Sequence, residues 1–122
     1  MKAFLITTDG KTERVDIDCT LETYYRLLNC TTIDIATRNI GGEDFDIICD
    51  DEGLFNENPT VTAYNPYMVG ASIVGNILII GLADAEGNET ELTDLDCDLI
   101  EANIVELKRK DGRVNKAVIL SC

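Results

Sequence analysis

Residues Ile73 to Gly81 read Ile-Val-Gly-Asn-Ile-Leu-Ile-Ile-Gly, a run that is nearly all apolar and β-branched. Such a run suits a central strand buried on both faces. Gly75-Asn76 inside it predicts a tight turn or bulge at its start. A chain of 122 residues is one domain by default and buries roughly two thirds of its unfolded surface. With 45% apolar residues and two prolines, the composition argues against disorder.

The rest of the chain supplies the neighbours such a strand needs. Residues 3–8 read as a strand, Asp9-Gly10 as a hairpin turn, and Thr12 to Ile17 as the return strand with Val15 and Ile17 on one face. Thr20 is a good N-cap, and Leu21, Tyr24, Tyr25 and Leu28 follow at helical spacing, giving a short amphipathic helix that ends near Asn29. Thr32 to Arg38 alternates with Ile33 and Ile35 inward, Gly41-Gly42 is a turn, and Phe45 to Cys49 is a strand closed by Asp50-Asp51-Glu52-Gly53. Asn56 to Pro66 reads as a loop with a short extended piece around Val61, and Thr90 to Leu92 pairs back after a turn at Glu86–Glu89. Thr93 caps a second helix, with Asp96 placed as in a capping box and Leu95, Leu99 and Ala102 as the inner stripe. Ile104 to Lys110, Asp111-Gly112 and Asn115 to Leu120 form a last hairpin. The predicted fold is α+β: a mostly antiparallel sheet, two short helices and a C-terminal β-hairpin, in a single domain over residues 1–122 without internal repeats.

Charge is distributed as unevenly as hydropathy. From Asn39 to Leu107 there is no Lys or Arg, against sixteen Asp and Glu. Residues 1–107 hold 22 acids and 5 bases, whereas residues 108–122 hold 5 bases (Lys108, Arg109, Lys110, Arg113, Lys116) and one acid. The net charge of −13 repels phosphate backbones, anionic lipids and acidic substrates, and attracts basic grooves on proteins. Direct nucleic-acid binding and membrane binding are therefore not expected. A basic tail on an acidic body could dock on its own body or on a second copy's, which makes a homodimer compatible with the sequence.

The side-chain inventory is poor in catalytic chemistry. There is no histidine, which removes the commonest general base, the usual zinc ligand and every Ser-His or Cys-His nucleophile pair. Five cysteines lack any Cys-x-x-Cys spacing, so no structural zinc site is expected and the thiols read as free and mostly buried in a reducing cytoplasm. The N-terminal apolar run is too short for a signal peptide, and Val69 to Ala83 is too short to span a bilayer. The clusters Glu43/Asp44/Asp46 and Asp50/Asp51/Glu52 match no calcium-loop spacing. Gly70 to Gly75 lacks the Lys-Ser/Thr of a phosphate loop. No enzyme activity, metal or cofactor is expected.

The acids themselves form the candidate site. Asp94, Asp98 and Glu101 recur at i, i+4 and i+7 on the second helix, and Glu43, Asp44, Asp46, Asp50, Asp51 and Glu52 lie on the turns. Alternate strand side chains are about 6.5–7 Å apart, close to the phosphate spacing of a nucleic-acid strand. A folded surface of this kind could compete for the Lys/Arg groove of a nucleic-acid-handling protein, with the salt sensitivity of such contacts. The plainer reading is a solvated acidic face.

One family shares this order of elements. Met1-Lys2-Ala3 with Asp9-Gly10, the Leu21 to Leu28 helix, Asp50-Asp51-Glu52-Gly53 followed by Asn56-Glu-Asn-Pro59, the segment from Val69-Gly70 through Ile73 to Gly81, and Leu92-Thr93-Asp94 resemble the domain-of-unknown-function family numbered 3846. The resemblance covers about residues 1–103, with the hairpin from Ile104 to Cys122 as an addition. That family occurs largely in phages, plasmids and other mobile elements of bacteria. The resemblance implies no catalytic residues. It implies a context: a small accessory protein in the cytoplasm of an infected or plasmid-bearing bacterial cell. Together with the charge, this leads to the expectation of an inhibitor or anti-defence protein. It would bind a host or defence protein, for example a nuclease, as a nucleic-acid mimic. The alternative is a small-ligand-binding or structural module with a pocket near Gly70–Gly81.

Overall fold

The computed structural model describes residues 1–52, 60–108 and 111–121. Among the described residues, nine strands and two α-helices order as β1 (Lys2–Ile6), β2 (Thr12–Asp16), α1 (Leu21–Leu28), β3 (Ile33–Ile40), β4 (Glu43–Asp50), β5 (Val61–Tyr64), β6 (Ile73–Val74), β7 (Ile77–Gly81), α2 (Asp94–Ala102), β8 (Ile104–Lys108) and β9 (Val114–Ile119). This is the expected α+β class, with the C-terminal hairpin as β8–β9.

Two sheets share the strands. The larger has the order β2-β1-β7-β4-β3 and the smaller β6-β5-β9-β8. Every pairing is antiparallel except β5 with β9. The apolar run that reads as one central strand is divided between the sheets. Ile77–Gly81 is the middle strand of the larger sheet and buried throughout, whereas Ile73–Val74 pairs with β5 in the smaller sheet. Gly75, at φ +85°, makes the turn between them, and its amide bonds the Thr60 carbonyl at 2.9 Å. At the far end of β7, a Cβ on Gly81 would collide with the Thr90 side chain. The glycine is what lets Thr90 bridge back to the strand.

Three layers result. Phe4, Ile6, Phe45, Ile47, Ile77 and Ile79 line one face of the larger sheet and pack with Ala63, Ile73 and Val118 of the smaller sheet and Cys97 and Ile100 of α2. Ala3, Leu5, Ile48, Leu78 and Ile80 line the other face under Tyr24 and Leu28 of α1. Val15 and Ile17 join that second cluster, on one face as the alternation predicts.

Both helix caps form as read. Thr20 accepts from the Thr23 amide, and Thr93 with Asp96 makes a reciprocal capping box. The buried faces are rotated from the expected ones. On α1, Thr23, Tyr24 and Leu28 are inside while Leu21 is 56% exposed. On α2, Cys97 and Ile100 are buried, Leu99 packs partly, Ala102 is exposed and Leu95 is 79% exposed. Ile35, expected inward, is 48% exposed, because β3 is an edge strand and α1 packs over β4 and β7 instead.

The C-terminal hairpin is part of the core rather than an appendage. β9 lies between β5 and β8, Ala117, Val118 and Leu120 are buried, and the Leu120 amide bonds the Tyr64 carbonyl at 2.8 Å. Of its bases, Arg109 and Lys110 lie outside the described residues. Cys19, Cys30, Cys49 and Cys97 are free thiols, two of them buried. Among the described residues no helix is long and apolar enough to cross a membrane.

Candidate functional site

The acidic stripe of α2 lies against the β1–β2 hairpin of its own chain. Phe4 and Arg14 are directly opposite in the β1–β2 ladder, so Arg14 shares the sheet face on which α2 packs. Its Nε donates to Glu101 Oε1 at 2.8 Å and its Nη2 to Asp98 Oδ1 at 2.6 Å, with Asp94 at 3.8 Å. Lys2 Nζ reaches Asp94 Oδ1 at 2.6 Å. The Lys2 contact holds the Asp94 carboxyl below its ordinary value, and the bonds to Glu101 and Asp98 raise the Arg14 guanidinium. All three stripe carboxylates are thus already neutralised from within the chain.

The other six candidates lie along β4 and its ends, in three environments. Asp46 is buried, 6% exposed, and accepts from the Thr37 hydroxyl at 2.7 Å and the Ala83 amide at 3.0 Å, which fixes the start of the Leu82–Glu91 loop. Glu43 and Asp44 are exposed beside the Gly41–Gly42 turn, with the Asn39 amide group donating to Asp44 at 3.1 Å. Asp50, Asp51 and Glu52 sit at the opposite end of β4, where Asp50 accepts from the Glu52 amide at 2.9 Å. An eight-residue strand separates the two ends by about 24 Å at the usual rise. Among the described residues, Glu43, Asp44, Asp50, Asp51 and Glu52 take part in no ion pair. The described residues also contain no group of three or more His, Cys, Asp and Glu placed to hold a metal ion.

Between these two acidic ends runs a feature that residue patterns did not single out. A groove of about 450 Å³ lies between Thr37, Arg38 and Asn39 on β3 and Asn65, Tyr67 and Met68 on the facing loop. A second, of about 190 Å³, continues along Asp34, Ala36 and Arg38 past Ser72 to Val74. Arg38 is common to both. These grooves border residues 71–74, at the start of the segment expected to flank a pocket, whereas Ile77–Gly81 is wholly buried. Tyr67 and Met68 are 77% and 66% exposed. They are held out by Asn65, whose side-chain oxygen accepts from both their amides at 2.9 and 3.0 Å. Asn65-Pro66 is a turn-initiating pair, and that was the available signal.

No curated protein and no solved structure matches this chain. The model of a domain of unknown function, DUF3846, matches residues 1–104, from β1 to the first residue of β8. With most of its length within that match, the chain belongs to the DUF3846 family.

Proposed function

We propose that this protein acts by binding, without catalysis, and that it occludes a basic groove of a partner macromolecule through the acids flanking the β3–β4 hairpin. The supporting observation is the contrast in pairing. Asp94, Asp98 and Glu101 are taken up by Arg14 and Lys2, whereas Glu43, Asp44, Asp50, Asp51 and Glu52 form no ion pair among the described residues and four of the five are exposed. A carboxylate without an ion pair on a strand end keeps its attraction for a partner's Lys or Arg, and no internal ion pair must break before it is used. The setting is an accessory protein of a phage or other mobile element in a bacterial cytoplasm. The partner is a host or defence protein that handles nucleic acid, a nuclease for example, whose phosphate groove these acids enter as surrogates.

Tagged protein incubated with bacterial lysate at low salt, then eluted with duplex DNA, tests this reading. A DNA-handling protein released by DNA, and not retained by a variant carrying Glu43→Gln, Asp44→Asn, Asp50→Asn, Asp51→Asn and Glu52→Gln, supports it. A partner that stays bound whatever DNA is added removes mimicry. The groove beside Arg38, Tyr67 and Met68 supports a second reading, a site for a small ligand. A thermal shift with a metabolite that survives added salt would favour that one.

A further inference from the structure

We infer that β3 is a self-pairing edge, on which a second copy of this chain adds its own β3 antiparallel about a two-fold axis at Ala36. β3 is the outer strand of the five-stranded sheet and is eight residues long. In an antiparallel strand, alternate residues turn both backbone groups to the same side. The Thr32 carbonyl accepts from Asp51 beyond the end of β4, and the Asn39 carbonyl accepts from Ser121 on the other side. Even-numbered residues therefore bond β4, and Ile33, Ile35, Thr37 and Asn39 present their amides and carbonyls outward.

Two of these outward groups are covered by side chains of the strand itself. Asp34 Oδ1 accepts from the Ile35 amide at 2.9 Å, and Arg38 Nη1 donates to the Thr37 carbonyl at 2.9 Å. Asp34 and Arg38 are equidistant from Ala36. In the proposed register Ile35 lies opposite Thr37 of the second copy as a hydrogen-bonded pair. The Ile35 amide then donates to that Thr37 carbonyl, so the two groups capped in the monomer satisfy each other across the interface. Asp34 and Arg38, released from capping, face each other's counterparts in the adjacent non-bonded positions. There Cα atoms are about 4.5 Å apart and opposite charges attract. The two-fold forms this ion pair twice. An edge guarded by like charges would oppose self-pairing. This one carries opposite charges at symmetric positions. The Ser121 bond to Asn39 limits the shared ladder to residues 34–38, so the dimer is small and weak. Two bodies of −13 repel, so dimer increases as salt is raised to about 0.15 M. Partner binding through the hairpin acids responds to salt in the opposite direction.

Sedimentation of the full chain over a concentration series tests the pairing, with circular dichroism to verify that each variant folds. Wild type is expected to move from the monomer mass of 13.4 kDa to twice that. Arg38→Asp and Asp34→Arg each place like charges opposite and should weaken the dimer tenfold or more. The double variant with both changes restores complementarity. So does an equal mixture of the two single variants, in which every cross-copy pair is of opposite sign and the heterodimer dominates. A chain that stays monomeric throughout overturns the inference. So does a dimer indifferent to these changes, or a mixture that associates no better than its components.

Discussion

The acids of α2 and those of the β3–β4 hairpin belong to the same base-free stretch of sequence, yet they meet opposite fates. Asp98 and Glu101 are bound by an arginine 84 and 87 positions away. The hairpin acids, all within 14 positions of Arg38, form no ion pair among the described residues. Being base-free in sequence does not make a surface base-free in space, because β1 and β2 carry Lys2 and Arg14 to the helix. The consequence is a division of labour: carboxylates that hold the fold, and carboxylates left over for a partner.

The largest expected effect lies within the hairpin itself, where Asp44 and Asp46 are only two residues apart. Asp46→Ala should cost about 1–3 kcal/mol in urea denaturation, since it removes the charged acceptor of the part-buried bonds from the Ala83 amide and the Thr37 hydroxyl. An unchanged midpoint would mean that the Leu82–Glu91 loop is not anchored there. Next comes the five-fold neutralisation of Glu43, Asp44, Asp50, Asp51 and Glu52. It should weaken partner binding at least tenfold, about 1.4 kcal/mol, while leaving the melting temperature where it was. A lower melting temperature with unaltered binding would reverse the assignment. Arg14→Ala should lower the melting temperature at low salt and less so at high salt, because the pairs it removes are exposed and screened. If it weakens partner binding without changing stability, the α2 stripe belongs to the interface after all.

The smallest effects are in pH dependence. Asp94 and Asp16 are held below the ordinary value of 3.8 by hydrogen bonds from Lys2 and the N-terminal ammonium. Their contribution is complete above that value and is lost as pH falls through the lowered ones. Lys2→Ala should flatten this acid limb of a stability–pH curve. At the other extreme, burial pushes the Cys49 thiol up to about 11 from 9.0, so its contribution is lost as pH rises between those values. Cys49→Ala should reduce that slope without abolishing it, because burial raises Cys19, Cys30 and Cys97 as well; an unchanged slope would exclude Cys49 as a contributor.

Much of the fold was legible because its signals are local. Thr20 and Thr93 cap whatever follows them, and the hairpin turns at Asp9-Gly10, Gly41-Gly42 and Asp111-Gly112 need no distant partner. The rotation of α2 was not legible. Its nine residues offer two apolar lines, Leu95/Leu99/Ala102 and Cys97/Ile100, and the choice is made by Arg14 and the sheet it docks on. The division of Ile73–Gly81 between two sheets was half legible, in Gly75-Asn76. The candidate acids were legible as residue types. Which of them are spent internally is a property of long-range contacts, and so is the meeting of Arg38 with Tyr67 and Met68.

The insertion of β9 between β5 and β8 has a consequence for how the molecule is made. Ala63 pairs with Val118 in a parallel ladder, and no earlier strand can stand in for it. On a ribosome extending at about 5–20 residues per second, β5 waits several seconds for its neighbour after it has emerged. The larger sheet needs nothing beyond β7 and can close during that interval. Birth order thus makes the small sheet a late addition to a scaffold already standing, with the Ala63 edge of β5 unpaired until the final strand arrives.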